Sequence, residues 1–185
     1  MSFSPRLALV AFALAMIAAP AMAQVDSDAR PTRLDAIMQS ITGEEPARTG
    51  YASLADAVAA QSLEDLDEES RCMAGAIYFE AKGEPLTGQL AVADVILNRI
   101  RSGRFASTIC SVITQRGQFS FVRDGRVPDI ADGAHYRTAI AVARVAMADA
   151  WESPAPDALF FHARRISPGW RHEQIATIGN QVFYR

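Results

Sequence analysis

The run "CMAGAIYFEAKGEPLTGQLAVADVILNRI", residues 72–100, decides the fold. Met73, Ala76, Ile77 and Glu80 recur at the spacing of one helix face, and Gly83 then supplies a stop. Pro85 is tolerated in the first turn of a new helix. From there Leu90, Val92 or Ala93, Ile96, Leu97 and Ile100 repeat at core-facing intervals, and the pattern ends before Gly103. Two helices joined by a tight turn follow, with Glu80 at the end of the first and Glu84 on the turn. An unbroken helix would put both acids on one face, but Gly83 and Pro85 separate them.

Downstream, "STICSVITQ" (107–115) predicts a shorter helix capped by Ser107. In "GQFSFVRDGRVPDI" the alternation of Phe119 and Phe121, followed by Asp124-Gly125, predicts a small β element with a hairpin turn. "HYRTAIAVARVAMADAW" (135–151) returns to helix, with Ala139, Val142, Ala146 and Ala150 forming a narrow face that permits close packing. "ALFFHARR" and "ATIGNQVFYR" read as extended segments around Pro168-Gly169-Trp170. The expected class is α+β, mainly α, with one compact domain over residues 71–185.

Upstream, Arg6 precedes the apolar run "LALVAFALAMIAA", and Ala21-Met22-Ala23 forms a small-residue cleavage site. Residues 1–23 therefore read as a secretory signal, the run being shorter than the roughly 20 residues that span a bilayer. No later segment resembles a membrane span. Residues 24–70 read as an acidic linker with one short helix at 51–62; they carry 3 basic and 11 acidic residues, against 14 and 10 over 71–185. The run "EDLDEES" (64–70) solvates a helix start, where acids complement the dipole. A mildly basic domain suits an anionic polymer, although such a charge is common on surfaces that bind nothing.

Export makes the two cysteines, Cys72 and Cys110, informative, because an oxidising compartment permits a disulfide. Closing a loop of this length contributes roughly 3 to 4 kcal/mol if unstrained. The competing readings are a catalytic thiol or two buried free thiols; His135, His162 and His172 all stand far from both cysteines in sequence. Those histidines form no HExxH, and no CxxC is present, so no metal or other cofactor is expected. No GxSxG elbow or glycine-rich phosphate loop occurs either, and no nucleic-acid partner is expected.

What remains is a carboxyl in apolar surroundings. Glu80 follows Ile77, Tyr78 and Phe79, and a carboxyl desolvated against aromatics keeps its proton nearer neutral pH. General acid cleavage of a glycosidic bond requires such a group. By itself, an acid at a helix end is an ordinary surface residue. Glu84 suits a structural acid at the next helix's start and is the secondary catalytic candidate.

Taken in order, "CMAGAIYFEAKGEPLTGQLAVADVILNRI", "FASTICSVITQRGQFSF" and "FFHA…IGNQVFY" resemble the SleB-like cell-wall hydrolases, which include spore-cortex lytic enzymes, over about residues 71–185. The resemblance implies a lysozyme-like helical domain with a small β element, acting on peptidoglycan glycan strands from the periplasm. It implies one catalytic glutamate, Glu80, in a lytic-transglycosylase-type reaction. An amidase acting on the muramoyl–peptide bond and a non-catalytic peptidoglycan-binding module are the alternatives. The resemblance also places Gln118, Phe119 and Ser120 on the sugar cleft, with His162 and Tyr184 as hydrogen-bonding groups near it. As residues alone, these fit a hairpin with Phe119 in the core and satisfied core polar groups. Asn98 and Arg99 read as capping or pairing groups, Trp151 as core, and Trp170 as a sugar-stacking candidate. Gln181 stands where relatives commonly carry histidine.

Overall fold

The computed structural model describes residues 50–185. The export signal expected at 1–23 and the polar stretch 24–49 lie outside the described residues. Among the described residues five helices come first: α1 (Leu54–Ala59), α2 (Glu68–Ala81), α3 (Leu86–Arg101), α4 (Ile109–Thr114) and α5 (Ala134–Met147). Three strands follow: β1 (Phe160–Ala163), β2 (Gln174–Ile178) and β3 (Gln181–Tyr184).

Local chemistry sets the boundaries. The Asp67 side chain accepts from the Ser70 N–H at 2.7 Å and caps α2. Gly83, at φ 86°, takes the left-handed conformation that ends α2, and the Glu84 N–H returns to the Ala81 carbonyl at 3.0 Å. Pro85 then occupies the N-cap of α3, which has no side-chain cap. The cap of α4 is Thr108, one residue beyond the expected Ser107, because the Thr108 hydroxyl accepts from the Ser111 N–H at 3.2 Å.

Helix α3 is buried nearly all round: every residue from Gly88 to Ile96 is inside. One side, with Leu90, Ala93 and Ile96, meets Met73, Ala76 and Ile77 of α2 and the small-residue face of α5. The other side, with Ala91, Val92 and Val95, meets Ala155, Ala158 and Phe183. A single apolar stripe would not have been enough, since α3 carries a core on each side.

One expectation is corrected and two others gain detail. The packed body begins upstream of Arg71, because Leu54 and Ala57 of α1 are buried in the same core as α2 and α5. The acidic run 64–70 stands at the start of α2 as expected, with Asp67 as its N-cap and Glu68 and Glu69 in its first turn, and it also makes bonds to neighbouring elements. Arg144 of α5 donates to the Glu64 carbonyl, and the Glu69 carboxylate accepts from the Ile109 N–H at 2.7 Å, neutralising the start of α4. Finally, residues 117–126 contain no strand: one isolated bridge, Arg123 to Arg126, closes the Asp124-Gly125 turn. Phe119 and Phe121 alternate because both rings enter the core, where Phe121 stacks on Phe79 at 4.8 Å.

The β element lies later in the chain. Its order is β1-β3-β2, antiparallel throughout, with Phe161 opposite Phe183 and His162 opposite Val182. Cys72 and Cys110 form a disulfide that ties α2 to α4.

Candidate active site

Helix α2 delivers Glu80 to the wall of a cavity of about 750 Å³. The segment 117–120 forms one side, β1 another, and Trp170 and Gln181 complete it. Gln118, Phe119, Ser120 and His162 line the same cavity as Glu80, the first three from a turn segment rather than a strand. Glu80 is the one carboxyl among the described residues lining this cavity.

Glu80 is half-buried. Desolvation raises its pKa above the ordinary glutamate value, and the Arg99 charge draws it back down. Its backbone is held from the sheet: the Gln181 Nε2 donates to the Glu80 carbonyl at 2.9 Å. That bond fixes the orientation of the amide, since a carbonyl only accepts. The Gln181 Oε1 is buried without a partner.

Arg99, 5% exposed, also lines the cavity. Its Nε donates to the Leu159 carbonyl at 2.8 Å, and its guanidinium lies 5.0 Å from the Phe105 ring and 5.4 Å from the Phe119 ring. Burial pulls its pKa down to about 10 and the Glu80 carboxylate pushes it back up, so it remains a cation at neutral pH.

Tyr184 does not line the cavity; it reaches it through His162. The His162 Nδ1 lies 2.9 Å from the Ala163 carbonyl and must donate to it, so in the neutral ring Nε2 accepts from the Tyr184 hydroxyl at 2.9 Å. Trp170, 44% exposed, stands edge-on to His162 and Phe160 and offers an aromatic face to the opening. Trp151 is core, and the Asn98 Nδ2 bonds the Ala158 carbonyl at 3.2 Å, away from Glu80.

Glu84 is not on this cavity. Its carboxylate accepts from the Asn180 N–H at 2.9 Å and from Asn180 Nδ2 at 3.1 Å, joining the α2–α3 turn to the β2–β3 turn. The expected role at the start of α3 is thus replaced by a tether, because the carboxylate turns toward the sheet. A second cavity, about 630 Å³, lies against the disulfide, but its acids, Glu68 and Asp129, are exposed. Among the described residues, no group of three or more His, Cys, Asp or Glu side chains could hold a metal ion.

Arg99 and Gln181 are the site residues that sequence reasoning did not assign. Arg99 carried a signal: it falls three residues after Ile96 and seven after Val92, on a buried stripe where a charge is out of place.

A family model described as Cell Wall Hydrolase matches residues 83–184. The chain belongs to the cell wall hydrolase family. Among curated members, the spore cortex-lytic enzyme of Halalkalibacterium halodurans is 36% identical over 122 residues, covering 63% of this chain and 34% of that protein. The Bacillus cereus enzyme of that name is 37% identical over 117 residues, covering 60% and 42%. This cell wall hydrolase chain thus spans less than half the length of either relative. A solved structure, the catalytic domain of the germination-specific lytic transglycosylase SleB from Bacillus anthracis, matches with TM-score 0.54 and 31% identity, over 66% of this chain and 98% of that one. The catalytic domain of Bacillus cereus SleB matches with TM-score 0.52 and 30% identity, over 66% and 94%. The mainly helical, lysozyme-like architecture with a small sheet is the one these domains share. The family match begins three residues after Glu80.

Proposed function

We propose that this chain is a peptidoglycan lytic enzyme that cleaves the bond between N-acetylmuramic acid and N-acetylglucosamine, with Glu80 as its only acid and base. The observation that carries the reading is a lone, desolvated carboxyl in a cavity that also offers polar groups and an aromatic face. Glycosidases that use two carboxylates need a second acid about 5 to 9.5 Å away. Here Glu80 is the only carboxyl among the described residues lining the cavity.

In the proposed reaction the Glu80 carboxyl protonates the glycosidic oxygen as the muramyl C1–O bond breaks. The resulting carboxylate then takes the proton of the muramyl C6 hydroxyl while that oxygen bonds C1. A 1,6-anhydro product forms, no water is consumed, and Glu80 regains its proton. Gln118, Ser120 and His162 hydrogen-bond the sugars, Tyr184 orients His162, and Phe119 and Trp170 supply apolar faces for the pyranose rings.

The setting is the periplasm, with peptidoglycan glycan strands as partner. The disulfide supports an oxidising compartment, and among the described residues no helix is long and apolar enough to cross a membrane.

Digestion of purified peptidoglycan by wild type and Glu80→Gln, read by mass spectrometry, tests this. Anhydro-muropeptides lighter than the hydrolysis products by one water, and absent with Glu80→Gln, are expected. Release of free stem peptides would instead identify an amidase. Tight binding without any product would identify a binding module.

A further inference from the structure

Arg99 is a buried cation on the cavity wall, flanked by the rings of Phe105 and Phe119, and its Nη1 is buried without a hydrogen-bond partner among the described residues. What the position does provide is rigidity. The bond from Nε to the Leu159 carbonyl and the two flanking rings hold the guanidinium plane in place, on the same cavity as Glu80, the one carboxyl there among the described residues.

We propose that Arg99 is a positioning residue for the proton cycle of Glu80, a fixed internal cation that stabilises the carboxylate left when the acid has given up its proton. This rests on the reading of Glu80 as the acid. The cycle asks two opposed things of one group: it must hold a proton when the glycan arrives, and it must survive as an anion, shielded from water by the bound sugar, until the C6 hydroxyl returns a proton. Burial serves the first need and a nearby immobile cation the second. The two influences resolved at Glu80 are these, desolvation being the larger. Arg99 reaches no reacting atom in this scheme; its action passes through Glu80.

Among the described residues, other charged or titratable groups around Glu80 are few. The end of α2 brings Tyr78 and, at the C-cap, Lys82, whose ammonium lies 4.7 Å over the Tyr78 ring, and β1 brings His162 with Tyr184 of β3 behind it. The loop after β1 brings Arg165, and segment 117–120 brings none.

The test is a direct titration of the Glu80 side chain by carbon NMR in wild type, Arg99→Gln and Arg99→Lys, with Glu80→Gln assigning the resonance. Arg99→Gln keeps a donor for the Leu159 carbonyl but removes the charge; Arg99→Lys keeps the charge. Glu80 is expected to titrate about one unit or more higher in Arg99→Gln and near the wild-type value in Arg99→Lys. In parallel, kcat on peptidoglycan falls about tenfold or more in Arg99→Gln with KM unchanged, and the alkaline limb of the pH profile moves up by the same interval. An unmoved Glu80 titration in Arg99→Gln overturns the proposal. So does a raised KM at constant kcat, which would make Arg99 a glycan-binding group. Failure of Arg99→Gln to fold assigns the guanidinium to the core and overturns it as well. The titration needs no turnover, so a wild type without activity would defeat the functional reading while the NMR result still decides the hold of Arg99 on Glu80.

Discussion

The Glu84 carboxylate takes two hydrogen bonds from one residue, Asn180, 96 positions away in sequence, through the backbone N–H at 2.9 Å and the side-chain amide at 3.1 Å. Glu80 and Glu84 stand four residues apart in different surroundings, Glu80 on the cavity wall and Glu84 on the tether to the sheet. Glu84→Ala should lower stability by about 1–3 kcal/mol in urea unfolding, as expected for lost bonds to a charged acceptor. Peptidoglycan digestion should persist in the folded fraction. Glu80→Gln should reduce digestion by about a hundredfold or more. The same change should stabilise the protein at pH 7–8: burial raises the folded pKa of Glu80, so its ionised form is disfavoured in the fold, and the amide removes that cost.

The neighbouring glycine is part of the same clamp. Gly179 sits at φ 56°, and a Cβ there would lie 2.1 Å from the Glu84 Oε2. Gly179→Ala should cost about 1–3 kcal/mol. In a double-mutant cycle with Glu84→Ala the two costs should be less than additive, because removing the carboxylate opens the space the methyl needs. Strict additivity in denaturant titrations would mean that backbone strain alone accounts for the loss.

The Cys72–Cys110 bridge spans 38 residues and closes α2, the Gly83 turn and α3 into one loop. Replacing both cysteines by serine should lower unfolding free energy by about 3–4 kcal/mol, mostly through the unfolded chain. Thermal melts with and without dithiothreitol should show this difference for wild type and none for the serine variant.

Asp94 provides a pH dependence separate from the site. Burial pushes its carboxyl up to about 6, partly offset by a hydrogen bond with Ser153, and Oδ2 has no partner. A folded value raised above the unfolded one means that the proton is held more tightly in the fold. The cost of ionising Asp94 is therefore absent below about pH 3.8, grows as pH rises, and is complete above about 6. Asp94→Asn should stabilise by about 2–3 kcal/mol at pH 7.5 and by little at pH 4. Paired unfolding curves at those two pH values check it; an equal gain at both would point to packing rather than charge.

The helical part of this fold was legible because α2, α3 and α5 bury continuous apolar faces, and periodicity reports burial directly. The strands around Phe161 and Phe183 were legible for the same reason. Residues 117–126 misled, since alternate rings facing one core look the same in a turn as in a strand until a partner strand is sought. Glu80, which lines the cavity, stood out in the sequence through its apolar neighbours and its motif. Gln181 carried no local signal, because its bond to the Glu80 carbonyl depends on a pairing 101 residues apart. The tether from Glu84 to Asn180 was hidden for the same reason, and helix-end chemistry offered a plausible local substitute.

The position of β3 in the sheet also sets a timetable. β3 lies between β1 and β2 yet follows every other described element in the chain, so neither outer strand has its partner until residues 181–184 arrive. Glu80 leaves the ribosome about a hundred residues ahead of the amide that anchors it. An incomplete chain carries the acid without its anchor and without the strand that pairs with the β1 wall of the cavity. A truncation just before Gln181 is therefore expected to cost Glu80 the bond to its carbonyl and to leave β1 and β2 without the strand that pairs with both, a loss that digestion of peptidoglycan by the truncated chain would check.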